Sequence, residues 1–329
     1  MSCCTEVRRP SRPVCYAALR IFLLASVIAL CSCAATLDRD DALAVVPYRV
    51  ADDGRLIVDV RLNDQGPFPF ALDTGASISV VFEALRDELR LESETEAWAR
   101  IQGLVSAGRF RIFTIDRLQV EDETWADARV AIMPGGGTDE ANVSGLLGTD
   151  LLRKYAVGFS RKNQVVRFYP PDVVSERSYR GWSSVPLDPV TIGSNGATLY
   201  IFKVNIHGHN VSAVLDLGAP ENIMNSKAAR LIGLSQKRLK QDETLAGAVD
   251  SAPILARISV SEITTSRVHW RNEQFAVADT GIFSLLPVGD GPSAIMGFSF
   301  LSQREFVIDF VNNRLLIYLG TAENDSDPE

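Results

Sequence analysis

One short pattern occurs twice in the chain, and this repeat constrains the fold more than any other feature. An apolar run at residues 68–72 ends in the turn Asp73-Thr-Gly-Ala-Ser, and a second run at residues 213–215 ends in Asp216-Leu-Gly-Ala. A single Asp-Thr-Gly sequence is ordinary turn chemistry. Two such turns in matching surroundings indicate that two halves of a duplicated fold each contribute one carboxylate.

The spacing of a second motif supports the duplication. Leu146-Leu147-Gly148 ends 75 residues after Asp73, and Ile295-Met296-Gly297 ends 81 residues after Asp216. A predicted hairpin follows each tripeptide, at residues 155–169 and 306–318. The period is too long for a solenoid repeat. We therefore predict an internal duplication with two similar lobes.

Alternating apolar and polar residues predict strands over most of both halves, for example at residues 55–62 and 200–206. Helical patterns are confined to residues 80–91 and 226–234. The predicted fold class is all-β, mainly strands with short helices, in a two-lobed arrangement.

Length and composition fit two modest globular domains. The predicted organisation is a signal peptide at 1–33, a tether at 34–46, a first lobe at 47–170, a linker at 171–186, a second lobe at 187–320 and a disordered tail at 321–329. The net charge is −8, and no Lys/Arg cluster occurs outside the N-terminus. These features argue against a nucleic-acid partner.

The N-terminal segment predicts export. Four arginines precede an apolar run at residues 21–30, which is too short for a comfortable membrane span. All five cysteines lie in the first 33 residues, so the mature chain has no internal disulfide and no cysteine nucleophile. Two alternatives stay open: a lipoprotein signal with Cys33 as the lipidated residue that attaches the protein to a membrane, or ordinary cleavage near Ala34-Ala35. The expected location is the bacterial periplasm or, with a lipid anchor, the cell envelope.

The paired motifs resemble those of aspartic proteases of the pepsin and retropepsin type, over roughly residues 45–320. The resemblance rests on the two Asp turns and on the two apolar-apolar-Gly tripeptides. It implies two retropepsin-like lobes fused in tandem, as in exported bacterial relatives. It also implies an endopeptidase that acts on an extended peptide or protein substrate, without a cofactor and as a monomer.

The resemblance assigns roles to particular residues. Asp73 and Asp216 are the expected catalytic pair, because two facing carboxylates that share a proton form an acid/base pair able to activate water. The supporting residues are Thr74, Gly75, Ala76, Ser77, Leu217, Gly218 and Ala219. A hairpin at residues 100–108, with Gln102 and Gly103 at its tip, is the candidate flap over the cleft; an ordinary exposed hairpin is the alternative.

One departure from the family pattern bears on catalysis. In the family a Thr follows each catalytic Asp, but Leu217 follows Asp216. A non-catalytic peptide-binding or envelope scaffold protein with a degenerate second lobe is therefore the alternative function, and activity only within an oligomer is a third hypothesis. His207 and His209 lack an apparent third ligand, so no metal site is predicted.

Overall fold

The computed structural model describes residues 41–91, 93–102, 106–135, 143–175, 181–192, 197–233, 243–246, 251–287, 289 and 291–320. The predicted signal peptide, the predicted tail, Cys33 and Gly103 lie outside these residues. Within them, no helix is both long enough and apolar enough to cross a membrane.

The described residues form an all-β structure with short helices, as the sequence predicts. The strands are β1 (Ala44–Pro47), β2 (Arg49–Val50), β3 (Leu56–Leu62), β4 (Gln65–Leu72), β5 (Val80–Phe82), β6 (Ser93–Gln102), β7 (Ala107–Val120), β8 (Glu123–Met133), β9 (Gly145–Leu147), β10 (Ala156–Ser160), β11 (Val165–Tyr169), β12 (Trp182–Pro186), β13 (Asp188–Ile192), β14 (Ala197–Ile206), β15 (His209–Leu215), β16 (Ile223–Met224), β17 (Glu243–Ala246), β18 (Ser251–Ile254), β19 (Ala256–Thr265), β20 (Val268–Val277), β21 (Ser293–Met296), β22 (Phe306–Asp309) and β23 (Arg314–Tyr318). The helices are α1 (Glu83–Leu89), α2 (Thr149–Leu152), α3 (Pro171–Ser175), α4 (Ser226–Leu231), α5 (Gly281–Ser284) and α6 (Phe298–Leu301).

The two lobes repeat the same strand pairings. The first-lobe sheet has the order β2-β3-β4-β9-β5-β8-β7-β6, and the second-lobe sheet has the order β13-β14-β15-β21-β16-β20-β19. In each, the strand that leads into the Asp turn pairs in parallel with the apolar-apolar-Gly strand: β4 with β9 and β15 with β21. The duplication seen in the sequence is therefore a duplication of topology.

A third sheet takes strands from both halves of the chain. Its order is β1-β11-β10-β22-β23-β12, and β10 and β22 pair at its centre. The rings of Phe159 and Phe306 stack across this central pair, with their centroids 4.4 Å apart. The sheet joins the predicted hairpins of the two lobes, which fixes the position of one lobe against the other.

Two segments predicted as connections contain strands of this shared sheet. Residues 44–46 of the predicted tether belong to β1, whose Ala44 and Val46 are buried. The predicted linker includes α3 and β12, and β12 pairs along its whole length with β23. Long-range pairing thus makes β1 and β12 the two edge strands of the shared sheet.

The predicted helix at 80–91 begins later in the structure. Val80 and Val81 belong to β5, which pairs in parallel with β8, and α1 starts at Glu83. β-branched residues favour strands where a partner strand is available. The tertiary partner therefore overrides the helical pattern at this end. In the second lobe, α4 ends at Leu231, followed by a turn at Ile232 and Gly233.

Candidate active site

The two Asp turns meet between the lobes. Each Asp follows a buried strand, and each begins its turn with a matching backbone bond: the Asp73 N–H donates to the Leu147 carbonyl at 3.0 Å, and the Asp216 N–H donates to the Met296 carbonyl at 3.0 Å. The apolar-apolar-Gly strands therefore hold both turns in the same way.

The glycines let the two carboxyl groups approach. A β-carbon added at Gly75 would lie 2.6 Å from Asp216 Oδ2, and one added at Gly218 would collide with the Asp73 carboxyl group. Each carboxyl group thus packs against the glycine of the opposite turn. Any larger residue at these two positions would have to displace a carboxylate.

Backbone N–H groups orient both carboxylates. Asp73 Oδ1 accepts hydrogen bonds from Gly75 N at 2.8 Å and from Ala76 N at 2.9 Å. Asp216 Oδ1 accepts one from Gly218 N at 3.0 Å. The Ala219 N–H donates to the Asp216 carbonyl at 3.1 Å, which closes the second turn.

The environment raises the pKa of both carboxyl groups. Burial is the largest cause for Asp73, partly offset by the N–H groups of Ala76 and Gly75, by the hydrogen bond with Asp216 and by the charge of Arg55. The pKa of Asp216 is raised further, first by burial and then by the charge and hydrogen bond of Asp73. Like charges held this close do not both ionise readily, so the pair shares a proton.

One hydroxyl connects the two turns. Thr74 is completely buried; its Oγ1 donates to the Leu215 carbonyl at 2.9 Å and accepts from the Leu217 N–H at 2.9 Å. Leu217 is also completely buried and packs in the main core. Leu217 lacks the hydroxyl that a Thr would have at this position. Its backbone N–H still donates to the Thr74 hydroxyl.

Two supporting residues were missed by the sequence reasoning. Ser79 Oγ accepts from the Gly148 N–H at 3.0 Å and donates to Asp150 Oδ1 at 2.8 Å. In the second lobe, Asn222 Oδ1 accepts from the Gly297 N–H at 3.0 Å. Both residues lie six positions after the Asp of their turn. That equal offset is a sequence signal, although the two side chains differ in type.

The remaining predicted residues of the first turn have less direct roles. The Ala76 carbonyl accepts from both the N–H and the hydroxyl of Thr149, at 2.8 and 3.1 Å. Ser77 is half-buried in the turn. On α2, burial raises the pKa of Asp150. It holds the Ser79 hydroxyl rather than facing the carboxyl pair.

The candidate flap is a hairpin of β6 and β7, in which Gln102 pairs with Ala107. Gln102 Nε2 donates to the Ser106 carbonyl at 3.1 Å, while Gly103 lies outside the described residues. Its flap role stays a prediction.

The second lobe has a separate hairpin of β17 and β18. Arg257 links this hairpin to the Asp216 loop through ion pairs with Glu243 and Glu221.

The histidine pair lies at the surface, away from any described ligand cluster. His207 occupies the tight turn between β14 and β15, with its Nε2 atom 2.9 Å from Ser261 Oγ. Across the described segments, no group of three His, Cys, Asp or Glu side chains is arranged to hold a metal ion.

Comparisons with known proteins place one family match in each half. Residues 58–151 match the family model described as aspartyl protease, and residues 202–303 match the model for the aspartyl protease of gag polyproteins. The first range contains Asp73 and the second contains Asp216.

Similarity to individual proteins is more limited. Over 119 residues the chain is 34% identical to DNA damage-inducible protein 1 of Kluyveromyces lactis; the match covers 36% of this chain and 26% of that protein. Among solved structures, conglutin gamma, a basic 7S globulin from lupine seeds, gives a TM-score of 0.48 at 12% identity, covering 85% of this chain and 95% of that one. Basic 7S globulin from soybean gives 0.46 at 11% identity, with coverage of 86% and 96%.

Proposed function

We propose that this chain, which belongs to the retropepsin-like aspartic proteases, is an endopeptidase. Asp73 and Asp216 are its proposed catalytic pair. The observation that carries the proposal is the contact of each carboxyl group with the glycine of the opposite turn. Burial and mutual charge raise the pKa of both groups, which favours a state with one shared proton.

In the proposed mechanism, a water molecule binds between the two carboxyl groups. The ionised carboxylate takes a proton from this water, and the protonated carboxyl group donates a hydrogen bond to the carbonyl oxygen of the scissile peptide. As the water oxygen attacks the carbonyl carbon, the protonated carboxyl group gives its proton to the carbonyl oxygen, and a tetrahedral diol forms. The carboxyl group that took the water proton then passes it to the peptide nitrogen. The C–N bond breaks, one diol hydroxyl returns a proton to the other carboxylate, and no covalent enzyme intermediate forms.

The proposed substrate is an extended segment of a peptide or protein. A strand-like segment between the lobes would be held by main-chain hydrogen bonds, with side-chain pockets supplying selectivity. The β6–β7 hairpin is the proposed cover of this cleft. We further propose that the enzyme acts as a monomer, because each lobe of one chain supplies one Asp.

Hydrolysis of an unstructured protein by the mature chain tests this function. We expect Asp73→Asn and Asp216→Asn each to abolish cleavage, because an amide cannot take a proton from water. We also expect inhibition by a statine-type transition-state mimic. Cleavage that survives either substitution would overturn the proposal.

The alternative is a non-catalytic peptide-binding or envelope scaffold protein with a degenerate second lobe, and it follows from Leu217 in place of Thr. Its burial and its N–H bond to Thr74 favour an intact second turn. The alternative predicts that wild-type protein binds an extended peptide without cleaving it, and that Asp73→Asn leaves this binding unchanged.

Export and lipid attachment are proposed from the sequence of the N-terminal segment. Mass spectrometry of the mature N-terminus distinguishes the two forms. A lipid-modified Cys33 at the N-terminus supports envelope anchoring, and an unmodified start near Ala34 or Ala35 supports a soluble periplasmic form.

A further inference from the structure

The two catalytic turns have different charged neighbours. β3 and β4 are antiparallel, with Ile57 opposite Ala71 and Val58 opposite Phe70. Continuing this register by two residues beyond the last pair, Ile57 with Ala71, places Arg55 opposite Asp73. Residues directly opposite in an antiparallel ladder point to the same face, with β-carbons about 5 Å apart. Arg55 is therefore the cross-strand neighbour of Asp73.

The equivalent position in the second lobe is apolar. In the β14–β15 ladder, Ile201 lies opposite Val214, and the same continuation places Leu199 opposite Asp216. Leu199 is buried and packs in an apolar cluster. The duplication therefore puts a cation beside one carboxyl group and a hydrocarbon side chain beside the other.

Arg55 is held in place by its own turn. Its Nε donates to Asp53 Oδ2 at 2.6 Å, and its backbone N–H donates to Asp53 Oδ1 at 3.1 Å. Only 19% of the Arg55 side chain and 21% of the Asp53 side chain are exposed. A β-carbon added at Gly54, between them, would lie 3.0 Å from the carbonyl oxygen of Pro220 in the Asp216 loop. The cation is thus fixed where the first lobe meets the opposite catalytic turn.

We propose that Arg55 is a positioning residue that keeps the negative charge of the dyad on Asp73 and leaves the shared proton on Asp216. This inference rests on the proposed function. It gives the two carboxyl groups different roles in the proposed reaction. Asp73 becomes the group that takes the proton from water, and Asp216 becomes the group that donates to the peptide carbonyl. Leu199 offers Asp216 no charge to stabilise its ionised form.

The other charges around Asp73 do not supply this asymmetry. Asp216 faces it from the second turn, and Asp53 accompanies Arg55 on the β3 side. Asp150, on α2, is turned to the Ser79 hydroxyl. The positive charge of Arg55 lowers the pKa of Asp73, in the direction that this geometry requires.

The test is the pH dependence of kcat/KM for an unstructured protein substrate. Arg55→Met removes the cation, so the acid limb should move to higher pH and activity at the acid edge should fall several-fold. Asp53→Asn removes the partner charge but keeps the cation, so the acid limb should move to lower pH. Arg55→Lys should stay near wild type. Arg61→Met, on the exposed part of β3, is the matched control and should leave the profile unchanged.

Opposite shifts for the two variants separate this role from a purely structural one. Equal losses at every pH for Arg55→Met and Asp53→Asn, with no movement of the limb, would overturn the proposal while leaving the proposed protease intact. If the wild type cleaves nothing, the proposed function fails. Titration of the two Asp side-chain carboxyl carbons by NMR then tests the inference by itself, and identical titration curves in wild type and Arg55→Met would overturn it.

Discussion

At the residue scale, a single hydroxyl, that of Thr74, bridges the two Asp turns. Thr74 donates to Leu215 and accepts from Leu217, so one side chain satisfies two buried backbone groups of the other lobe. Leu217 contributes hydrocarbon to the main core instead. The second turn is thus held by one bridge from Thr74 and by packing.

Thr74→Val should destabilise the protein by about 2–4 kcal/mol, because it leaves a buried N–H group and a buried carbonyl without a partner. Thr74→Ser keeps the hydroxyl and should cost less. Urea unfolding measures both. Thr124→Val, on the exposed face of β8, is the control. Equal midpoints for Thr74→Val and this control would contradict the bridging role.

The buried carboxyl pair should also lower the free energy of unfolding at neutral pH. The pKa of Asp216 is raised well above its ordinary value of 3.8, chiefly by burial. Between the ordinary and the raised pKa the folded state binds more protons than the unfolded state, so the free energy of unfolding falls as pH rises through that window. Asp216→Asn removes this cost and keeps an oxygen to accept the Gly218 N–H.

We therefore expect Asp216→Asn to be more stable than wild type near neutral pH, with a difference that shrinks as pH falls toward the ordinary Asp range. Urea unfolding across pH measures the difference. A difference that stays constant with pH would mean that the ionisation of this group does not contribute.

At the element scale, each Asp turn is tied to its apolar-apolar-Gly strand by a side chain six residues after the Asp. Ser79 does this in the first lobe and Asn222 in the second, both at 3.0 Å from a buried glycine N–H. A hydroxyl and an amide oxygen are both good acceptors. The duplication has therefore kept the hydrogen bond while the residue type has changed.

Ser79→Ala and Asn222→Leu should each cost about 1–3 kcal/mol, since each leaves a glycine N–H unsatisfied in the core. Both should also reduce kcat of the proposed protease, because the adjacent turn carries one of its two proposed catalytic Asp residues. Thermal unfolding and hydrolysis assays on the same samples test this. Ser184→Ala, exposed on β12, should change neither. If Ser79→Ala has the unfolding temperature and the kcat of wild type, the hydrogen bond from Gly148 N–H to the Ser79 hydroxyl does not support the turn.

At the scale of the whole molecule, the shared six-stranded sheet couples the lobes. β10 and β22 form its central pair, and Phe306 is almost completely buried beside Phe159. A change in this pair therefore acts on both lobes and on the spacing of the two Asp turns.

Phe306→Ala should destabilise the protein by about 3–5 kcal/mol through lost burial and a cavity. Because the sheet belongs to both lobes, Trp125 in the first lobe and Trp270 in the second should report one coincident unfolding transition. Val311→Ala, half-exposed in the β22–β23 turn, is the control and should stay within about 0.5 kcal/mol of wild type. Two separated transitions in wild type would contradict this coupling.

The sequence by itself determined the class of fold, the duplication and the two aspartates, because these depend on local signals. Apolar runs that end in an Asp turn, and hairpins at similar spacing after each turn, can be recognised directly in the sequence. Tertiary structure decided where β1 and β12 pair, how α1 begins after β5, and which side chains support the turns. These outcomes depend on partners far away in sequence: Thr74 bonds to residues more than 140 positions away. Arg55 becomes a neighbour of Asp73 only when β3 folds against β4. The sequence therefore shows the positive charge but not the carboxyl group on which it acts.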